Sequence, residues 1–231
     1  NIKQIKPLPN LDYKIVCGNS LLGVDKQDMF IDFKLKQLEE VKNEFFKEAR
    51  THEKRELKNK IDGLISEITH GHKNFDFEIY FSEVFHEKGG FDVVIGNPPY
   101  VSVKEISTKN KKIFSDVFET GHGMFNLFTL FLEKADQILK SQGVRTFILP
   151  EGLYSNIEYK YIRKHILEHS SILFIVLFSN RVFDAAVDTS IISTQKIKKA
   201  DNQFPIIRDL KDRLMIINQN SAYQITADSW R

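Results

Sequence analysis

A chain of 231 residues with 42% hydrophobic content and 19 phenylalanines has ample material for a packed, aromatic core. Its formal net charge of +2 gives no bulk attraction for nucleic acid, so any such contact must come from local patches. The single cysteine, Cys17, excludes an internal disulfide and a cysteine-rich zinc site, and the longest apolar run, Ile172–Phe178, is far below the roughly 20 residues that span a bilayer.

The first predicted element is a strand at Tyr13–Cys17, which would make Cys17 an inert buried thiol, followed by the turn Gly18-Asn19-Ser20. Apolar residues then recur at three- and four-residue spacing: Leu35, Leu38, Val41, Phe45 and Ala49, then Leu57, Ile61, Leu64, Ile65 and Ile68. This predicts two antiparallel helices, 32–50 and 53–69, closed by Gly71. Between Lys34 and Lys60 there are nine Lys/Arg and six Glu, which reads as a solvated helical face or as a basic face lying along DNA. Phe75–Phe81 alternates weakly, as a short strand or an extended linker.

Phe91, Val93, Val94 and Ile95 form a compact β-branched run, the pattern of a strand buried on both faces. Lys104–Lys112 reads as a polar, mobile loop. Phe125–Leu139 is an amphipathic helix stopped by Gly143, and Val144–Leu149 is a strand ended by Pro150. A helix at Asn156–His169, a strand at Ile172–Phe178 and a final strand at Thr189–Ile197 follow. Alternating strands and helices predict a parallel α/β sheet closed by an antiparallel pair. Residues 201–231 lose this rhythm and read as a linker.

The chemistry concentrates at Gly96-Asn97-Pro98-Pro99-Tyr100. Gly96 ends the strand, and the two prolines stiffen the backbone and keep Asn97 extended. An amide and an aromatic ring thus sit on a rigid loop at the carboxyl edge of a sheet, where open α/β folds bind ligands. Proline has no N–H, so this backbone favours accepting hydrogen bonds. The Asn97 oxygen and a carbonyl of Gly96 or Pro98 can hold an exocyclic amino group, and Tyr100 can stack on a heteroaromatic ring. No general base is needed, because the proton can leave after a methyl group arrives. The structural alternative is a proline-rich turn in which Asn97 caps local backbone and Tyr100 packs on the core.

Phe91–Tyr100 resembles the catalytic motif of amino-group methyltransferases that use S-adenosylmethionine, and more narrowly that of N6-adenine DNA methyltransferases of type IIG and related restriction-modification enzymes. Leu11–Leu22, Phe75–Phe85 with Gly89-Gly90, Gly121–Phe131, Val144–Tyr154 and Phe174–Lys198 resemble flanking segments of that family. The resemblance implies a partial Rossmann-like sheet at 1–200 whose first two strands are absent, an inserted helical hairpin at 30–71, and a linker at 201–231 toward a target-recognition domain. It implies S-adenosylmethionine as cofactor, double-stranded DNA as partner, a cytoplasmic location, and a flipped adenine as acceptor.

By the same resemblance, Asn97, Pro98, Pro99 and Tyr100 form the catalytic loop. Asn97 and Asn19 face the cofactor, Asn19 standing where an aspartate is more usual, and Tyr100 and Phe183 flank the base. Asn19 as a plain turn residue and Phe183 as a packing residue remain the alternatives. Pro150-Glu151-Gly152 follows a strand at the same edge, with Glu151 lining a pocket or capping a helix.

Nothing resembling a glycine-rich cofactor loop precedes Asn97, and Gly121-His122-Gly123 lacks the preceding strand that a phosphate loop needs. The chain begins at Asn1, mid-motif, so it is expected to be an inactive piece with weak or no cofactor binding. An outer edge of the sheet should then be exposed. A methyltransferase acting on RNA or on protein glutamine is the enzymatic alternative, and a non-catalytic DNA-binding module is the other. No metal site is predicted, since His70-x-His72 has no companion ligands.

Overall fold

The computed structural model describes residues 11–24, 30–178, 187–197, 203–209 and 223–226. They belong to two compact units, Asn1–Lys88 and Gly89–Arg231.

In the first unit, α1 (Ile31–Lys47) and α2 (Thr51–Ile68) form the expected hairpin, with short helices α3 (Phe77–Tyr80) and α4 (Ser82–Lys88) following. Leu38, Phe45, Ile61 and Ile65 are almost fully buried at its centre. Gly71 adopts φ +76 after α2, the left-handed geometry that closes a helix without a Cβ penalty. The predicted strand at Tyr13–Cys17 is instead a turn. Tyr13 has φ +62, its ring packs edge-on against Phe45 at 5.6 Å, and its hydroxyl donates to Asp62 at 2.9 Å. The segment is held by the hairpin through this side chain, and Cys17 is exposed rather than buried.

Phe75–Phe81 is not extended either. Asp76 caps α3 by accepting from the Glu78 N–H at 2.9 Å, and Phe75 stacks on Tyr80. Part of the positive charge over 34–60 is taken up inside the unit. Lys42 is buried, donating to the Tyr80 carbonyl and Glu83, while Lys34, Arg50 and Lys58 pair with carboxylates.

The second unit is a six-stranded mixed sheet in the order β1-β2-β4-β3-β5-β6. The strands are β1 (Phe91–Gly96), β2 (Leu139–Pro150), β3 (Ser171–Phe178), β4 (Thr189–Gln195), β5 (Gln203–Asp209) and β6 (Tyr223–Thr226). β1, β2, β3 and β5 run one way; β4 and β6 oppose them, β4 lying between β2 and β3. Residues 203–209 and 223–226 therefore continue the sheet, where sequence rhythm alone suggested a linker. Helices α5 (Thr108–Val117), α6 (Leu127–Ile138), α7 (Gly152–Ser155) and α8 (Lys160–His169) complete the unit. The span 104–112, expected to be loose, contains the start of α5, whose Ser107 cap accepts from the Asn110 N–H.

The core gathers Phe128, Leu132 and Ala135 of α6, Phe147 and Leu149 of β2, Ile162 and Ile166 of α8, and Ile175 and Ile192 of the central strands. Val94 packs against it, but Val93 and Ile95 are 54% and 79% exposed, so β1 is not buried on both faces. The reason is position: β1 ends the strand order, and among the described residues only β2 pairs with it.

Its register on β2 is irregular. Phe91 lies opposite Leu139, whereas Val93 lies opposite Val144. The extra β2 residues form a kink in which Gln142 has φ +63. Backbone bonds tie it to Lys196, whose ammonium also donates to the carbonyls of Asp136 and Leu139 at 2.5 and 2.6 Å.

Candidate active site

β1 and β2 run parallel to Gly96 opposite Phe147, and the chain then leaves the sheet at Asn97. A Cβ at Gly96 would stand 2.9 Å from the Phe147 ring, so the residue is a close-approach glycine. Asn97 and Pro99 are exposed, Pro98 is buried, and Tyr100 is half-buried. The proline-rich turn thus has one face anchored in the protein and the amide facing outward.

Tyr100 fixes the loop. Its hydroxyl donates to the Ile148 carbonyl of β2 at 3.0 Å and lies 3.3 Å from the Asn97 amide oxygen. Burial pushes the phenol above its ordinary range, so it remains a donor near neutral pH. The ring meets Phe128 edge-on at 6.2 Å, and Phe128 in turn meets Tyr159 at 5.0 Å.

Behind the loop, Val103 N–H donates to the Phe125 carbonyl and Leu127 N–H to the Val101 carbonyl, both at 2.9 Å. Asn126 caps α6 at this point. Phe125-Asn126-Leu127-Phe128 therefore braces the catalytic-loop candidate. Tyr154, half-buried and bonded to Ser190 at 2.7 Å, closes the adjacent end of β2. Glu151 takes the N-cap position of α7 without a side-chain capping bond, and its N–H donates to Asp188.

Asn97, Pro98, Pro99 and Tyr100 are thus brought together as a loop with an outward amide. Asn19 belongs to the first unit, where it is exposed; its amide oxygen accepts from the Leu21 N–H at 3.1 Å, the geometry of a turn residue. Phe183 lies outside the described residues. Sequence reasoning missed Ile148 and the bracing contacts at Phe125 and Leu127, because main-chain partners carry no residue signature.

Chemically, the loop offers oxygen acceptors at a rigid, solvent-facing edge. Such a surface suits an amino group that must be held while its nitrogen lone pair stays available, and a neighbouring cation such as a sulfonium.

A family profile described as Eco57I restriction-modification methylase matches residues 19–183. The chain is 25% identical over 151 residues to the type II restriction enzyme and methyltransferase RM.Eco57I of Escherichia coli, covering 61% of this chain and 15% of that protein. It is 30% identical over 131 residues to the type II methyltransferase M.AccI of Acinetobacter calcoaceticus, covering 54% and 24%. The solved type IIG restriction endonuclease BpuSI superposes with a TM-score of 0.45 and 17% identity, over 58% of this chain and 19% of that one. The chain thus spans less than a quarter of the length of the two curated relatives. No described helix is long and apolar enough to cross a membrane. With the profile extending from Asn19 through the Asn-Pro-Pro-Tyr loop to Phe183, the chain belongs to the Eco57I restriction-modification methylase family.

Proposed function

We propose that this chain supplies the acceptor side of the catalytic site in a site-specific DNA methyltransferase of a restriction-modification system. The proposed reaction moves a methyl group from S-adenosylmethionine to N6 of an adenine extruded from the duplex. The observation that carries the reading is the outward Asn97 amide on a proline-stiffened loop at the carboxyl end of β1, braced by Tyr100.

The loop fits the groups it would meet. Two prolines remove donors, so the adenine NH2 finds the Asn97 oxygen and a neighbouring main-chain carbonyl, and a sulfonium cation finds the same electron-rich edge. S-adenosylmethionine, when bound, supplies an electrophilic methyl. Asn97 would hold N6 so that its lone pair points at that methyl. With N6 held in this way, the proton left on nitrogen after transfer would pass to solvent without a base from this loop. Tyr100 would stack on the base, a contact worth roughly 1–3 kcal/mol, which offsets part of the few kcal/mol needed for extrusion. Asn19 retains one oxygen lone pair for the cofactor's adenine, and Phe183 is assigned the opposite flank of the extruded base.

The test uses the protein carrying the complete catalytic domain. Asn97→Ala should abolish methyl incorporation into duplex DNA while leaving thermal melting unchanged, and hydrolysed product from the unaltered protein should contain N6-methyladenine. Near-normal turnover of the variant would defeat the role of Asn97. A methylated cytosine, or methylation of RNA or a glutamine peptide in place of DNA, would defeat the substrate assignment.

A further inference from the structure

We propose that Glu119, His165 and His169 form a binding site for a divalent transition ion of the zinc type, at the edge of the sheet opposite the Asn97 loop. One ligand atom from each residue lies within 4.8 Å of the others. His165 and His169 are four residues apart on α8, so their rings lie on one face; the centroids are 4.4 Å apart. Glu119, from the segment between α5 and α6, brings its Oε2 to 3.3 Å from His165 Nδ1. A tetrahedral ion with bonds of about 2.0–2.1 Å spaces its ligand atoms about 3.3–3.4 Å apart. The Glu119–His165 edge already has that length, and the ligand atom of His169 lies within 4.8 Å of both.

The hydrogen bonds set both imidazoles for ligation. His165 Nε2 faces Asp136 Oδ2 at 3.0 Å, and Arg145 also pairs with that carboxylate. An ionised carboxylate only accepts, so Nε2 carries the proton toward Asp136, and an ion held together with Glu119 would take the place of a proton on Nδ1. His169 Nδ1 lies 3.0 Å from the His165 main-chain carbonyl, another pure acceptor, which leaves Nε2 available. Carboxylate and carbonyl partners behind the ligating ring are the usual supports of histidine metal sites.

The third ligand is positioned as well. Buried Glu133 accepts the N–H groups of Glu119 and Thr120, each at 2.9 Å, while the Glu119 side chain stays 73% exposed. A plain ion-pair reading would place a charged His165 between Asp136 and Glu119. It leaves the His169 ring, whose centroid lies 4.4 Å from that of His165, outside the pair. A shared ion accounts for all three side chains. Three protein ligands leave a fourth position for water, and the ion would tie the α5–α6 connection to α8.

The inference does not depend on the methyltransferase reading. The test is calorimetric titration of the chelator-treated full chain with zinc, alongside cobalt absorption spectroscopy. We expect one ion per chain and the intense visible bands of tetrahedral cobalt. H169A and E119Q should each weaken binding at least tenfold while melting like the unaltered protein without metal. Equal affinity in H169A would place the ion elsewhere and overturn the proposal, as would absence of saturable binding by the unaltered chain.

Discussion

Tyr100 is held in two separable ways, by its hydroxyl on the Ile148 carbonyl and by its ring against Phe128. Tyr100→Phe removes the first and should cost about 1 kcal/mol in urea unfolding, since the carbonyl loses one neutral hydrogen bond. The stacking surface survives, so methyl transfer should fall only a few-fold. Tyr100→Ala removes the ring too and should cost about 2–3 kcal/mol, below the value for a fully buried aromatic because Tyr100 is half-exposed. It should also suppress transfer far more than Tyr100→Phe in single-turnover assays; equal loss in both variants would mean that the hydroxyl, not the ring, serves the reaction. Much of this site was legible in the residues, because Asn-Pro-Pro restricts the backbone locally and a β-branched run precedes it. The Ile148 tie was not, since it joins positions 48 apart through a carbonyl that every residue possesses.

At the scale of elements, α6, α8 and β2 are joined by a buried polar network. Arg145, 1% exposed, pairs with Asp136 at 2.6 Å and donates to Thr194 at 2.8 Å and to the Leu132 carbonyl at 2.5 Å. Burial works against ionisation of Asp136, yet Arg145 and His165 hold its carboxyl below the usual range. Removing Arg145 takes away the permanent counter-charge of Asp136 and leaves the buried carboxylate to His165 and Ser170. Arg145→Met should therefore destabilise the chain by about 3–5 kcal/mol, and Arg145→Met with Asp136→Asn should recover part of that loss. Denaturant unfolding of the two variants checks the order; a double variant no more stable than the single one would show that the charge is not the issue.

Of the helices of this unit, α6 and α8 were readable from apolar spacing and start and stop close to the expected places. The network around Arg145 was not readable, because its partners come from α6 and β4. The errors share a cause. Tyr13–Cys17 has strand composition but is held by the Tyr13 side chain against the hairpin, and α5 depends on a cap that its lysine-rich composition obscures. Conversely, β5 and β6 take their order from pairing with β3 and with each other, which no local pattern announces.

Across the whole molecule, the first unit is a helical hairpin with its own core and the second is a sheet in which β1, at the end of the described strand order, carries the candidate loop. Val93 and Ile95 expose apolar surface on that strand, which ends the strand order among the described residues. Replacing both by Thr keeps strand propensity and should change stability by no more than about 0.5 kcal/mol each. It should reduce concentration-dependent association of the chain in light scattering, and undiminished association would locate the sticky surface elsewhere. The irregular pairing of β1 with β2 has a quieter effect. A strand that slid by two residues would carry Asn97 some ~6.6 Å along its axis, and a slide by one would turn its side chain to the other side. The kink clasped by Lys196 blocks either slide from the far end of the strand, so a lysine with no part in the chemistry determines where the amide is delivered.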